Sequence, residues 1–116
     1  MSGALAEILR DALKPAGRAV ASTSGETQQG DSLLALAERV RQALADRNVA
    51  PHEPIHISIG NRPLDLGALL GIWQAGAVAV PIHTLSASST IARVQRISCA
   101  RFLIDGDRFE IGRAHV

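Results

Sequence analysis

Apolar residues recur at helical spacing over residues 3–13, where Leu5, Ile8, Leu9, Ala12 and Leu13 share one face. That spacing predicts a helix with those side chains inward, stopped by Pro15 and Gly17. Residues 18–23 and 27–30 read as two short strands around the turn Ser24-Gly25-Glu26, a small N-terminal hairpin. The clearest pattern covers residues 32–47. Leu33, Leu36, Ala37, Val40 and Leu44 form a stripe, and Glu38, Arg39, Arg41, Gln42, Asp46 and Arg47 form the opposite polar face. Asp31 or Ser32 is the expected cap, and Asn48 the expected left-handed residue at the helix end.

Beyond Pro51 and Pro54 the period changes. Residues 55–59 alternate apolar and polar, as a strand does. Pro63 suits the first turn of a helix, where its missing N–H costs nothing. Residues 64–75 are apolar nearly all round, so this helix is expected to be covered on more than one side. Gly67 and Gly71, one turn apart, make a smooth strip for a close neighbour. Residues 77–82 are continuously apolar, which predicts a strand buried on both faces. A further helix opens at Ser86 or Ser88 with Ile91, Val94 and Ile97 inward. Strands are expected at 101–104 and, past the turn Asp105-Gly106, at 108–111. Strand, helix, strand, helix, strand over residues 55–104 predicts an α/β fold: a parallel sheet with helices on its faces, beside the short hairpin.

Composition narrows the function more than the fold. The 116 residues are 47% hydrophobic with a net charge of +1, the profile of a globular chain. Arginines are dispersed from Arg10 to Arg113 without a basic run, which argues against nucleic-acid binding. No run reaches about 18 apolar residues, so no membrane span is expected. Glu7 and Asp11 break any signal-peptide pattern. Cys99 is the sole cysteine, which suits a reducing compartment; a cytoplasmic location is expected.

The chemistry-bearing motifs are few. The one lysine, Lys14, precedes a proline, so no Walker loop exists. Gly60 stands alone where a dinucleotide fingerprint needs three glycines. Ser22-Thr23-Ser24-Gly25-Glu26-Thr27 has the composition of a phosphate loop, but Glu26 would set a carboxylate against phosphate; it reads as a hairpin turn. His52, His56, His83 and His115 share no metal-ligand spacing, and no metal site is expected. His56 reads as a half-buried strand residue, and Cys99 as a small residue in a packed turn. His83 and Thr84 follow an expected sheet strand, and ligands of open parallel sheets sit at strand carboxyl ends. They are the candidate pocket-lip residues, with a plain loop or helix-entry role as the alternative. No catalytic residue is assigned.

One stretch is more specific. Asn61-Arg62-Pro63, then Ala68-Leu69-Leu70-Gly71-Ile72-Trp73-Gln74-Ala75-Gly76-Ala77-Val78-Ala79-Val80-Pro81, resembles a motif of adenylate-forming (AMP-binding) enzymes of the acyl-CoA synthetase type. Residues 32–49 and 82–105 are similar to the family stretches on either side. The resemblance implies that residues 1–116 are the N-terminal part of the large domain, with a flavodoxin-like sheet. It implies for the whole enzyme an ATP-dependent acid–CoA ligase or adenylation enzyme: a carboxylate and ATP give an acyl-adenylate, then a thioester on coenzyme A or a carrier phosphopantetheine, with ATP, magnesium and coenzyme A as its cofactors. The family's phosphate loop, ribose-binding aspartate and catalytic lysine lie further along the chain and map onto no residue here. This portion is therefore expected to be catalytically silent and to bind no cofactor alone. His83 and Leu85 stand where the family often has Asn and Arg, so a coenzyme A contact made there by some members is not carried over. The expected partners are the remainder of the ligase chain or a second copy, paired through a sheet edge or the Trp73 helix. Two alternatives remain: a free-standing interaction or self-association module, and, last, a phosphoacceptor receiver domain, which Ile59-Gly60-Asn61 disfavours by carrying no acidic cluster.

Overall fold

The computed structural model describes residues 2–15, 17–21, 25–60, 62–83, 85–104 and 111–113. Helix α1 (Ser2–Leu13) leads into strands β1 (Ala19–Ala21) and β2 (Thr27–Gln29), which pair antiparallel as the expected hairpin. Helix α2 (Gly30–Asp46) follows, then β3 (Pro54–Ile59), α3 (Pro63–Gln74), β4 (Val78–His83), α4 (Ser88–Ser98), β5 (Phe102–Ile104) and β6 (Ile111–Arg113). The expected turn at Asp105-Gly106 and the start of the last strand lie outside the described residues. Helix α2 begins two residues earlier than the sequence suggests. Its cap is Gln29 with no side-chain capping bond, so Asp31 and Ser32 lie inside the first turn.

The main sheet has the order β4-β3-β5-β6. β3 pairs parallel with both β4 and β5, while β6 runs antiparallel to β5. The sheet is thus mixed with a parallel core. From β3 the chain steps to one side through α3, then crosses back over β3 through α4. Right-handed crossovers in opposite directions place their helices on opposite faces. That is observed: Ile55 and Ile57 pack with α2 and α3, whereas His56, one residue out of phase, meets Ser98 of α4.

The core lies between the sheet and the α2–α3 pair. Leu36, Val40, Leu44, Ile55, Ile57, Ala68, Ile72, Ala77 and Ile104 are all buried there. The glycine strip of α3 is what lets α2 approach. A Cβ at Gly71 would lie 2.6 Å from the Ala37 carbonyl oxygen and 2.6 Å from Val40 Cβ; one at Gly67 would lie 2.9 Å from the Leu33 oxygen. Each glycine in a helix interior costs about 1 kcal/mol relative to alanine, and the close contact offsets that. The strip is filled from within the chain, so Trp73 packs partly against the smaller α1–α2–α3 cluster instead of lying beside an open seam.

Three expected burial patterns are not observed. In α1, Ala6 and Leu13 are buried and Leu9 is partly covered, but Ile8 is 68% exposed. One neighbouring layer is too narrow to cover a five-residue face. β4 is an edge strand, with only Ile82 buried and Val78 46% exposed; continuous apolarity did not mean two covered faces. α4 buries no residue, and Ile97 is 77% exposed.

Candidate functional site

The carboxyl ends of β3 and β4 form the place where an open parallel sheet binds ligands. Register sets His83 directly opposite Ile59, beside Gly60 and the start of α3. His83 is exposed, and its Nδ1 accepts a hydrogen bond from the Leu85 amide at 3.0 Å. That bond puts the neutral ring's proton on Nε2 and turns the imidazole back onto its own loop. Thr84 lies outside the described residues. Of the two pocket-lip candidates, His83 is therefore at the predicted strand end, folded as the local loop contact.

Asp65 dominates this end of the sheet, and sequence reading missed it. Its Oδ2 accepts the Gly60 amide at 2.8 Å and the Arg62 amide at 3.3 Å, and its Oδ1 accepts Arg62 Nη2 at 2.8 Å. The side chain is buried. A helix N-terminus carries unpaired N–H groups and partial positive charge, and so favours anions. Here the chain supplies the anion itself. Pro63 removes one donor, and the Asp65 carboxylate ties the N-terminus of α3 to the end of β3. An acidic residue in the first turn after Pro63 was the available signal for this capping arrangement.

The remaining polar groups are dispersed. His56 is fully buried; its Nε2 lies 2.7 Å from Ser98 Oγ, and burial pushes its pKa down from the ordinary value. It is thus more deeply buried than expected. His52 sits in an exposed turn at φ 64°. Among the described residues no group of three or more His, Cys, Asp or Glu side chains could hold a metal. His115, Asp105 and Asp107 lie outside the described residues, as do Ser22, Thr23 and Ser24 of the glycine-bearing turn. Cys99 caps α4 in the left-handed conformation and is exposed, not packed as expected. Glu53 accepts two hydrogen bonds from Arg101, 2.7 and 2.8 Å long, which hold its carboxyl below the usual glutamate range. At the opposite end of α3, a cleft of about 530 Å³ is walled by Arg10, Glu38, Arg41 and Trp73. Glu38 and Arg41, neighbours one turn apart on α2, pair at 2.6 Å on its wall.

Topology and strand ends define the class: an α/β protein with a doubly wound parallel core. Residues 9–114 match the model of the AMP-binding enzyme family, and the chain belongs to that family. Among curated proteins no relative matches. Solved structures agree on the fold. A benzoate CoA ligase from Burkholderia xenovorans LB400 is 26% identical with a TM-score of 0.73, over 86% of this chain and 21% of that one. A fatty acyl CoA synthetase from Mycobacterium tuberculosis is 23% identical with a TM-score of 0.70, over 89% and 21%. The N-terminal subdomain of NpsA from Klebsiella oxytoca is 20% identical with a TM-score of 0.69, over 96% and 29%. The chain thus spans less than a third of these structures' length. No described helix is long and apolar enough to cross a membrane.

Proposed function

We propose that residues 1–116 are the N-terminal part of the large domain of an adenylate-forming ligase of the acid–CoA type, and act there as a scaffold. The observation that carries this reading is the family match over residues 9–114, joined to coverage of only a fraction of the matched structures. In this proposal the whole enzyme acts in the cytoplasm. It uses ATP and magnesium to convert a carboxylate to an acyl-adenylate, which coenzyme A then takes as a thioester. The 116 residues hold none of these groups by themselves.

The start of α3 supports silence in this portion. Neutralising a reacting triphosphate takes preorganised N–H donors, lysines or metal ligands. The N-terminus that would offer such donors is filled by Asp65, whose negative charge would repel a phosphate. The exposed apolar residues support the remainder of the ligase as partner. Val78, Leu85 and Ile97 all lie on the β4–α4 flank, where a further layer of the domain would cover them. The same exposure supports the second reading, a module that pairs with another copy.

The test is carboxylate-dependent exchange of pyrophosphate into ATP. The purified 116-residue chain should give only background exchange with any carboxylate offered. The native gene product, isolated from its own cells, should exchange with at least one. Exchange by the short chain would refute silence; none by the native product would refute the ligase reading.

A further inference from the structure

We infer that His56 and Ser98 form a latch that seats α4 on the sheet at neutral pH and releases it on acidification. The inference concerns this chain's own elements and is independent of the ligase reading.

The geometry has four parts. First, α4 is only lightly anchored: none of its residues is fully buried, Ile91 and Val94 are partly covered, and Ile97 points largely into solvent. A helix so placed opens at low cost in free energy. Second, the His56–Ser98 contact joins residues 42 apart in sequence at 2.7 Å, tying the last turn of α4 to the central strand. Third, Ser98 Oγ also lies 3.3 Å from the Gln95 carbonyl. With His56 Nε2–H donating to Ser98, Ser98 O–H donates to the Gln95 carbonyl, which also accepts the Cys99 amide at 3.2 Å that caps α4. Fourth, His56 Nδ1 is buried and has no hydrogen-bond partner among the described residues. In the neutral tautomer it carries a lone pair that no donor meets among the described residues. Protonation turns it into a charged donor with nothing to receive it, and an unsatisfied buried charge is strongly disfavoured.

Among the described residues, the surroundings do not supply the missing counter-charge. On the His56 face, β4 contributes Val78, Val80 and Ile82, and β5 contributes Leu103. Arg93 and Arg96 of α4 are exposed and of the wrong sign. Glu53, three residues before His56, is already held by Arg101. The carbonyls ending α4 favour a nearby cation, but burial outweighs them, and the folded state holds the proton less well than an open one. The sign follows. Above the ordinary histidine value of 6.5 the latch is fully engaged. As pH falls below it, opening that rehydrates His56 gains population, by at most about tenfold per pH unit for one proton. Below the folded value the effect levels off.

Amide hydrogen exchange across pH, corrected for the intrinsic pH dependence of exchange, tests this on the chain as it stands. Protection of residues 88–98 should fall about fivefold or more between pH 7.5 and 5.0, while α2 stays within about twofold. The fall should begin near the ordinary histidine value of 6.5 and level off where the His56 ring titrates, as followed by NMR. His56→Gln keeps an N–H donor toward Ser98 but cannot titrate, so its α4 protection should be flat with pH. The latch is overturned by flat protection in the unaltered chain, by α2 falling in step, by a His56→Gln variant that keeps the fall, or by a fall that continues well below the pH at which the ring titrates. Should that variant not fold, the comparison of the levelling-off with the ring titration decides alone.

Discussion

The two sides of the central sheet are built differently. On one side α2 and α3 meet backbone to side chain through Gly67 and Gly71 and press Leu36, Val40, Leu44, Ala68 and Ile72 onto Ile55 and Ile57. On the other side α4 contributes one polar contact to a buried histidine and leaves Ile97 in solvent. Both helices belong to βαβ units of the same sheet, so topology alone does not set how firmly an element is held. Interlocked apolar volume does, and only one face has it. Local opening is therefore expected to begin at the β4–α4 flank.

The widest separation should come from truncating one apolar residue on each side. Leu44→Ala removes a fully buried side chain from the α2 layer and should cost roughly 2–5 kcal/mol. Ile97→Ser removes one that is 77% exposed and should change stability by less than about 0.5 kcal/mol. Urea unfolding of the two variants measures both. A larger loss at Ile97 would mean that α4 is seated on the sheet by its apolar residues after all.

Gly71→Ala should come next. Alanine is favoured in a helix by about 1 kcal/mol, but its methyl would meet the Ala37 carbonyl and Val40 Cβ at 2.6 Å. Backbone cannot yield as a flexible side chain does, and overpacking of this kind costs about 1–3 kcal/mol. The net expectation is a loss of up to about 2 kcal/mol, read as a lower denaturant midpoint. A gain would show that α2 can move away freely.

How far these contrasts were legible in the sequence depends on the kind of signal. Periodicity located all four helices, and Pro63 and Gly76 marked the ends of α3 to within a residue or two. The glycine pair announced a close neighbour, and α2 is that neighbour. What periodicity cannot report is which layer covers an apolar face. Leu5, Ile8, Val78 and Ile97 all fit inward patterns, yet each is exposed, because burial is a property of the assembled layers. At the strand ends, His83 was legible from position alone. Asp65 was not singled out, because one carboxylate in a helix's first turn is common and its role depends on Gly60 folding back to meet it. His56 was read as half-buried since its partner, Ser98, lies 42 residues away.

The free edge of β4 permits a subtler test of the flank. The Val78 amide bonds the Glu53 carbonyl, so the amides of Ala79 and His83, and the missing one of Pro81, face outward. A proline there interrupts the row of donors that another strand would need. Pro81→Val restores the row and should raise self-association several-fold in sedimentation at high concentration. Any pairing by the unaltered chain should instead involve the apolar surface, and so respond to Val78→Ser. A Pro81→Val variant no more associated than the parent would indicate that this edge is blocked by something other than the proline.

The smallest effect is expected where charge, not packing, joins the sheet's strands. Arg101 holds Glu53 through two hydrogen bonds, but the arginine is largely in water, where solvent and salt screen the attraction. Because the pair keeps the Glu53 carboxyl below its ordinary value, the stability it contributes is present above the ordinary glutamate range. It is lost as pH falls through the lowered folded value, since the unfolded state then binds the proton more readily. Glu53→Gln should therefore lower the melting temperature slightly at pH 7 and converge with the parent once pH falls below the lowered folded value. Added salt should narrow the difference at pH 7. A difference that persists at low pH and in high salt would assign Glu53 a packing role at the base of β3, through its acceptance of the Ala50 amide at 3.0 Å.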